Sequence, residues 1–394
     1  MVLDALRLTV GAAAAVASLP GTAELCLLTC GAALRSRRPK AGGAALRAAV
    51  VVPAHNEEAG IGSCVQSLLA CEAASERFAV VVVADNCTDN TAGRARAAGA
   101  RVLERFDDAR RGKGYALDFA FEALLPEGAD FFVVVDADTI AAPNLVAEFR
   151  AWFGSGADAV QCRYAVRNPG QSTRTRLMNV ALMAFNILRP RGRANLGLSA
   201  GILGNGFGLS RRALEAVPYR ATSVVEDLEY HLRLVRAGFR VEFADATAVF
   251  GEMPSGGKGA RSQRSRWEGG RLRMARDFVP GLAGEVVRGR LRLLEPLLDL
   301  LLLPLALHAT LLLPALAAPD PVVRTYGAVA AAAVALHIVA AIAAGGGGLR
   351  DLGVLAAAPF YIVWKIGMLP LVWRASRRDA AWVRTERAPA QERK

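Results

Sequence analysis

Two carboxylates with metal-binding spacing follow an apolar run near the middle of this 394-residue chain. Asp136 and Asp138 come directly after Val133–Val135, in an i, i+2 arrangement. Such a pair can bind a hard divalent cation whose other ligands are water and phosphate oxygens. We therefore expect Mg²⁺ or Mn²⁺ to be held here together with a diphosphate substrate. The competing interpretation is a solvated turn that caps the next helix.

Polar side chains also follow two earlier apolar runs. One run ends in Pro53, His55, Asn56 and Glu57, and the other ends in Asp85. A third polar stretch, Arg111-Gly112-Lys113-Gly114, opens a predicted helix, whose N-terminus together with Lys113 favours an anion. The spacing of a P-loop is absent. An ordinary basic turn is the alternative for this stretch.

Two later stretches carry groups suited to proton transfer and to diphosphate binding. Glu226 and Asp227 begin a helical pattern, where a carboxylate could serve as a general base or simply complement the helix dipole. In Gln263-Arg264-Ser265-Arg266-Trp267, arginine offers planar donors to a diphosphate and Trp267 offers a flat face to a sugar ring. An amphipathic basic helix lying on anionic lipid is the other interpretation.

Alternating strands and helices are predicted to position these groups. The predicted strands are 50–53, 78–84 and 131–135, and the predicted helices cover 61–69, 92–98, 114–125 and 144–153. This alternation indicates an α/β fold with a parallel, doubly wound sheet, which binds ligands at the carboxyl ends of its strands. The three polar loops should therefore converge on one edge.

The composition indicates a membrane protein. The chain has 48 Lys and Arg against 36 Asp and Glu, a net charge of +12, and 53% hydrophobic residues. Its mean hydropathy is +0.28. These values exclude a disordered chain and argue against a purely soluble enzyme. None of the six cysteines forms a C-x-x-C pair, so neither a zinc site nor a redox site is indicated.

The apolar surplus lies at the two ends of the chain. Leu8–Leu34 is long enough to cross a membrane and is followed by Arg35, Arg37, Arg38 and Lys40, which favours a cytosolic catalytic domain. Leu293–Ala318 and Val322–Ala344 are predicted as a hairpin of spans. Leu352–Trp373, which contains Lys365, is predicted to be re-entrant or interfacial, with a fourth full span as the alternative. The predicted domains are 1–47 (anchor and basic linker), 48–278 (catalytic, with an interface helix), 279–374 (membrane helices) and 375–394 (basic cytosolic tail).

The ordered set of motifs resembles a known enzyme family. P-x-H-N-E, D-N-x-T-D, R-G-K-G, D-A-D, V-E-D and Q-R-x-R-W occur in this order between about Val50 and Trp267. The set resembles the family 2 inverting glycosyltransferases, and within them the membrane-embedded branch of cellulose, chitin, hyaluronan and poly-N-acetylglucosamine synthases. The resemblance implies a GT-A-type, Rossmann-like, mostly parallel sheet with flanking transmembrane helices. It also implies a multi-pass protein of the cytoplasmic (inner) membrane.

The resemblance implies a role for each matched residue. Asp227 would be the catalytic base, with Glu226 beside it, and Asp136 and Asp138 would bind Mg²⁺ or Mn²⁺ and the UDP moiety. The implied donor-binding residues are Pro53, His55, Asn56, Glu57, Asp85, Lys113, Gln263 and Arg266. The implied acceptor-binding residues are Trp267, Gly204, Asn205 and Gly206.

The implied function is inverting transfer from a UDP-sugar to build a β-linked polysaccharide, coupled to its translocation across the bilayer. The chain has fewer predicted spans than several long-chain synthases, so a complete channel would require a homo-oligomer or a small membrane partner. A lipid glycosyltransferase of the ceramide type, adding one sugar, is the alternative. A non-catalytic basic protein that binds membranes or nucleic acid is the third hypothesis. The intact acidic motifs argue against it, and no nucleic-acid partner is expected.

Overall fold

The computed structural model describes residues 2–39, 45–72, 77–220, 223, 225–254 and 257–377. Lys40 of the basic linker and residues 378–394 of the predicted tail lie outside them. The chain divides into two compact units, each assembled from separated stretches. We call residues 36–169 and 197–260 the sheet unit, and residues 2–35, 170–196 and 261–377 the helical unit. The domain boundaries predicted from the sequence stay predictions.

The sheet unit is built on eight strands in the order β3-β2-β1-β4-β7-β6-β8-β5. The strands are β1 (Ala48–Ala54), β2 (Phe78–Asp85), β3 (Arg101–Arg105), β4 (Phe131–Val134), β5 (Thr139–Ala141), β6 (Ala159–Val166), β7 (Phe207–Ser210) and β8 (Val241–Gly251). β1, β2, β3 and β4 are mutually parallel, whereas β7 runs antiparallel to both β4 and β6. β8 is parallel to β6 and antiparallel to β5, so this half of the sheet is mixed.

Continuous apolar runs explain the central strands. β1 and β4 are buried along almost their whole length, as expected for strands covered by helices on both faces. One core cluster on this sheet contains Val50, Val52, Leu68, Phe131 and Phe149, among others. The predicted α/β sheet and its helices are confirmed, and the bounds of α3, α4 and α5 lie within one residue of those predicted.

The helices of both units are α1 (Val2–Ala33), α2 (Ile61–Leu69), α3 (Thr91–Ala97), α4 (Lys113–Leu124), α5 (Leu145–Gly154), α6 (Thr173–Met183), α7 (Arg189–Asn195), α8 (Arg211–Ala216), α9 (Glu226–Arg236), α10 (Gly257–Val287), α11 (Leu294–Leu301), α12 (Leu305–Leu316), α13 (Pro321–Ala344), α14 (Leu349–Gly353), α15 (Ala358–Gly367) and α16 (Leu369–Ala375). A π-helical turn, Ala184–Leu188, joins α6 to α7.

Small residues and hydroxyls let the long helices of the helical unit pack closely. A Cβ added at Gly11 would lie 2.8 Å from Ala318 Cβ, and Thr29 Oγ1 lies 2.7 Å from His337 Nδ1. Ser18 Oγ lies 2.9 Å from the Tyr326 hydroxyl. Because early residues of α1 contact the start of α13 and late residues contact its second half, the two helices run parallel.

Two helices in the described part of the chain, Val2–Ala33 and Pro321–Ala344, are long and apolar enough to cross a membrane. Up to four crossings result if each of two bent helix pairs counts as one span. The stretch predicted as one span, Leu293–Ala318, is such a pair, bent by 80°. Pro304 lacks an amide hydrogen and disfavours helix in the residue before it, so α11 ends at Leu301.

The last apolar segment is also bent, by 49° between Gly367 and Leu369. Lys365, which the sequence places in the middle of this segment, is 5% exposed. Its Nζ lies 2.9 Å from Glu268 Oε1 on α10. An acidic partner thus offsets the charge that the sequence predicts to be costly in a membrane.

A buried ion network connects four parts of the helical unit. Arg193 on α7 is 5% exposed, and its Nη2 lies 3.1 Å from Glu24 Oε1 on α1. Its guanidinium also contacts Glu295 and Asp299 of α11. Asp299 Oδ2 in turn lies 3.0 Å from Arg271 Nη2 on α10. Buried charges of this kind require partners, because an unpaired one costs several kcal/mol.

Candidate active site

The predicted metal-binding pair lies in a tight loop between β4 and β5. The Thr139 amide donates to the Asp136 carbonyl at 3.1 Å, which closes the turn that contains Asp138. Asn205, in the segment before β7, makes two hydrogen bonds to this loop. Its Oδ1 accepts from the Asp136 amide at 3.0 Å, and its Nδ2 donates to Thr139 Oγ1 at 2.9 Å. Asn205 is 1% exposed. One buried amide therefore holds both ends of the D-A-D loop.

Lys113, the first residue of α4, connects the D-A-D loop to the segment before β7. Its Nζ donates to Asp136 Oδ1 and to the Gly204 carbonyl. Desolvation lowers the pKa of Lys113, but the carboxylates of Asp136 and Glu226 outweigh it and raise the pKa above its usual value. The side chain therefore carries a positive charge at neutral pH, beside the predicted diphosphate position.

The carboxyl pair Glu226 and Asp227 stands at the start of α9. A Cβ on Gly204, whose φ is +78°, would lie 2.9 Å from Asp227 Oδ2, so this close approach requires glycine. Asp227 Oδ1 accepts from the Leu228 amide at 2.8 Å. Burial, followed by the charge of Asp227, raises the pKa of Glu226 to about 7. Burial likewise raises the pKa of Asp227.

The raised values suit a base that works near neutral pH. A carboxylate that binds a proton more tightly than usual is a stronger acceptor for the proton of a sugar or lipid hydroxyl. Because the charge of Asp227 raises the pKa of the adjacent Glu226, the two carboxyl groups titrate as a pair rather than as two independent groups.

Polar contacts join the loops that follow β1 and β2. His55 Nδ1 lies 2.8 Å from the Asp85 carbonyl oxygen, and Asn56, with a φ of +54°, accepts through Oδ1 from the Thr88 amide at 2.7 Å. The Glu57 amide donates to Thr91 Oγ1 at 2.8 Å. The loop after β1, which begins beyond Pro53, is thereby held against the loop after β2.

The loop after β1 also lies next to the D-A-D loop. A Cβ added at Gly60 would come 3.9 Å from Asp138 Cα, and Cys64 Sγ donates to the Asp136 carbonyl at 3.5 Å. The structure therefore brings the three predicted loops together at the carboxyl ends of β1, β2 and β4.

Asp85 has partners that the sequence did not reveal. Arg105 Nη1 donates to Asp85 Oδ1 at 2.6 Å, and Asn86 Nδ2 donates to the same oxygen at 3.0 Å. The parallel register pairs Asp85 with Arg105, which a sheet alignment could have indicated but spacing alone could not. Asp85 is 5% exposed. Its predicted role in binding the donor stays a prediction.

The donor set of the D-A-D loop fits a hard divalent cation. Across the described residues, no group of three or more His, Cys, Asp or Glu is placed to hold a metal. Asp136 and Asp138 would supply carboxylate oxygens, leaving the other positions to diphosphate and water. Burial raises the pKa of the nearby Cys64 thiol, which donates to the Asp136 carbonyl. This chemistry suits Mg²⁺ or Mn²⁺ rather than zinc.

The segment Gly204–Gly206 contacts both the D-A-D loop and Asp227. A Cβ on Gly206 would lie 2.5 Å from Cys162 Sγ, so the position excludes any side chain. Gln161 Nε2 donates to the Asn205 carbonyl at 2.8 Å and to that of Gly206 at 3.0 Å. Sequence reasoning missed Gln161. The predicted contact of this segment with the acceptor stays a prediction.

Gln263, Arg266 and Trp267 lie on α10, in the stretch that belongs to the helical unit. Gln263 Oε1 is buried and has no hydrogen-bond partner among the described residues. Nearby on the same helix, Arg264 Nη2 donates to the Tyr361 hydroxyl at 2.7 Å. The roles predicted for Gln263, Arg266 and Trp267 at the diphosphate and the acceptor stay predictions.

Known proteins resemble the part of the chain that carries these motifs. A family model described as "Glycosyltransferase like family 2" matches residues 46–270. The chain belongs to glycosyltransferase family 2. This family 2 chain is 25% identical over 244 residues to the probable glycosyltransferase YdaM of Bacillus subtilis. The alignment covers 59% of this chain and 57% of the relative.

A second group of relatives has a lipid product in its name. The family 2 chain is 31% identical over 229 residues to the beta-monoglucosyldiacylglycerol synthase of Synechocystis, covering 56% of this chain and 47% of that protein. The match to these curated relatives thus spans about half of their length.

A solved structure confirms the GT-A fold class. The mannosyltransferase PcManGT from Pyrobaculum calidifontis, in complex with GDP-Man and Mn²⁺, aligns with a TM-score of 0.54 at 19% identity. The alignment covers 95% of this family 2 chain and 97% of the mannosyltransferase.

Proposed function

We propose that this chain is a metal-dependent, inverting glycosyltransferase that moves a hexosyl group from a UDP-sugar to an acceptor hydroxyl at a membrane. One juxtaposition carries the proposal: Lys113 bridges Asp136 of the D-A-D loop and Gly204, whose other neighbour is Asp227. The position that we propose for the leaving diphosphate and the candidate base thus lie next to each other.

The chain's own groups account for a single displacement. Asp136 and Asp138 would hold the divalent cation, which supplies charge neutralisation for the diphosphate when bound. Lys113 adds a fixed positive charge beside it. Asp227 accepts the proton of the acceptor hydroxyl, whose oxygen attacks the anomeric carbon while the bond from that carbon to the diphosphate oxygen breaks. Attack from the face opposite to the diphosphate inverts the anomeric centre.

A lipid hydroxyl is the acceptor that we propose first. Relatives named as beta-monoglucosyldiacylglycerol synthases support it, because their name includes a glycosylated lipid. Two helices long and apolar enough to cross a membrane would place the chain beside such a lipid. We propose a multi-pass protein of the cytoplasmic membrane, with Arg35, Arg37 and Arg38 and the sheet unit on the cytosolic side.

A growing β-linked polysaccharide is the second candidate acceptor. The Gln263-Arg264-Ser265-Arg266-Trp267 stretch on α10 is compatible with it, since it resembles a motif of the synthase branch, which lipid glycosyltransferases of the ceramide type share. A polymer would also need a path across the bilayer, which we assign to a homo-oligomer or to a small membrane partner.

The test uses the purified full chain in lipid nanodiscs with UDP-glucose, UDP-N-acetylglucosamine, UDP-galactose or GDP-mannose, and Mg²⁺ or Mn²⁺. We expect release of UDP, its loss with EDTA and its recovery with added metal. Mass analysis of the product separates a glycolipid from a polymer. Release of GDP alone would contradict the UDP-sugar assignment, and no nucleotide release or binding with any donor would contradict the enzyme assignment.

The base assignment is tested by Asp227→Asn. We expect this variant to bind UDP as the wild type does and to lose about 10²- to 10⁴-fold in turnover. Asp158→Asn is the matched control: Asp158 precedes β6, which runs parallel to β1, so it lies at the opposite edge of the sheet. Near-native turnover of Asp227→Asn would show that another group takes the proton.

A further inference from the structure

A cleft of about 510 Å³ opens in the helical unit, and none of its lining residues belongs to the proposed active site. It lies between the start of α6 and the chain that connects α14 to α15. The start of α6 lines it with polar side chains, and the connection after α14 lines it with apolar ones. The residues that matter for its chemistry are Ser172, Thr173, Arg176, Arg350, Val354 and Ala356.

The polar side is cationic. Arg176 Nη1 lies 3.4 Å from Asp351 Oδ1, while Asp351 Oδ2 accepts from the Gly348 amide at 3.1 Å. Both oxygens of this carboxylate are therefore engaged, and the contact orients the Arg176 guanidinium. Arg350 of α14 also lines the cleft and is exposed. Two guanidiniums against one carboxylate leave a net positive charge, which suits a phosphate group.

The start of α6 adds to the attraction for an anion. Ser172 caps this helix by accepting from the Thr175 amide at 3.1 Å, and Thr173 is its first residue. The 11-residue α6 directs the positive end of its dipole toward the cleft lining. This contribution supplements the two arginines and would not make a site without them.

The apolar side continues toward exposed hydrophobic side chains. Val354 and Ala356 line the cleft, and the chain runs directly into α15. On α15, Phe360 is 80% exposed and Val363 is 70% exposed. A free phosphate would use only the cationic side of the cleft. A molecule with a phosphate head and hydrocarbon chains would use both sides.

The cleft lies at the membrane depth of lipid headgroups if the helical unit spans the bilayer as proposed. α1 and α13 run parallel, so their C-terminal ends share one side of the unit. Arg350 follows the end of α13 at Ala344 by six residues. The same end of α1 leads to Arg35 and Arg37, which predict the cytosolic side.

We propose that this cleft binds the phosphate of an anionic membrane glycerophospholipid, with the acyl chains lying along Val354 and α15. The inference rests on the proposed membrane anchoring and goes beyond the transfer reaction, because it assigns a lipid that is bound rather than glycosylated. Recognition comes from the two arginines.

The test measures binding of dioctanoyl phosphatidylglycerol and of dioctanoyl phosphatidylcholine to the full chain in detergent, by native mass spectrometry. We expect the wild type to prefer the anionic lipid. Loss of a basic residue weakens such binding about 5-fold, so Arg176→Gln with Arg350→Gln should weaken it about 25-fold. Ala356→Trp fills the cleft without a change in charge and should also abolish the preference.

The matched control is Arg7→Gln with Arg324→Gln. It removes two arginines near the N-terminal ends of α1 and α13, the ends far from the cleft, and should bind the lipid as the wild type does. Equal losses in the control would overturn the proposal, since they would show a general charge effect. Unchanged binding in the cleft variants would also overturn it. Competition by sn-glycerol 3-phosphate at equal concentration would overturn the lipid assignment in favour of a free phosphate. Binding of UDP is measured in parallel, so a failure of the proposed enzymatic function is seen separately.

Discussion

Replacing Asn205 with alanine should separate two roles that this residue could have. The sequence resemblance predicts contact with the acceptor, whereas the structure shows a buried amide that bonds both ends of the D-A-D loop. If the support of the loop dominates, the variant should lose affinity for the nucleotide and the metal. If acceptor contact dominates, only the KM for the acceptor should rise.

The expected magnitude follows from the two hydrogen bonds. Each contributes about 1 kcal/mol, and the Thr139 hydroxyl, which loses the donor Asn205 Nδ2, is poorly solvated, since Thr139 is 1% exposed. We expect the free energy of unfolding to fall by about 2–4 kcal/mol. A displacement of the carboxylates by about 1 Å should lower kcat/KM by roughly 10²-fold.

The assay combines titration calorimetry of UDP in the presence of Mn²⁺ with initial rates at varied donor and acceptor concentrations. Asn144→Ala is the matched control, because it also removes two hydrogen bonds in the sheet unit, one to the Ala246 carbonyl at 3.0 Å and one from Thr247 Oγ1 at 2.9 Å. The control should keep its affinity for UDP and Mn²⁺. Wild-type affinity for UDP and Mn²⁺ in Asn205→Ala, with a raised acceptor KM, would refute the reasoning.

Removing the ionisable group of Glu226 should flatten the pH dependence of stability. Its pKa is raised from 4.5 to about 7, so the free energy of unfolding should fall by up to about 3 kcal/mol as the pH rises from below 4.5 to above 7. Glu226→Gln should therefore have a higher melting temperature than the wild type at pH 8 and the same melting temperature at pH 4.5. Equal melting temperatures at pH 8 would contradict this. Lys113→Gln removes a cation that contacts Asp136 and lowers the pKa values of the proposed base Asp227 and of its neighbour Glu226, so the acid limb of the pH–rate profile should move to higher pH and the donor KM should rise. An unmoved acid limb would count against the contact. Lys365→Met removes the nearer of two cations beside the buried Glu268 and leaves Arg264 Nη1 at 3.5 Å, so the free energy of unfolding should fall by up to about 3 kcal/mol, measured by melting in detergent. The double variant with Glu268→Gln should recover most of the loss, and no recovery would show that the pair is not the cause.

The strands that precede the candidate site, β1, β2 and β4, were predictable because they are continuous apolar runs. β1, β2 and β4 are buried on both faces, and the chemistry-bearing residues follow each of them directly. β3, with the sequence R-V-L-E-R, escaped prediction because an edge strand with polar residues lacks that signal. The Asp85–Arg105 pair escaped for the same reason, since it exists only through the register of β2 with β3.

The helical unit was harder to predict from the sequence. A hydropathy average over Leu293–Ala318 does not register the bend that Pro304 introduces. The stretch from Thr173 to Asn195 has arginines on both sides of the apolar run 177–188, and the sequence-based prediction placed it in the catalytic domain. Its Arg193 is compensated by Glu24 and Glu295, which are 169 and 102 residues away in the chain. Pairing over such distances leaves no local pattern.

The same network constrains how the protein is made and how it can be shortened. During synthesis Glu24 is in place before Arg193, but Glu295 and Asp299 emerge from the ribosome only about a hundred residues later. Until then the Arg193 guanidinium of the nascent chain has only one of its three acidic partners. The stretch 170–196 should therefore be the last of the residues synthesised by that point to reach its folded structure. Trimming both ends to obtain a water-soluble enzyme would leave that stretch in place between β6 and β7, and would strip away every carboxylate that neutralises Arg193 in the structure described.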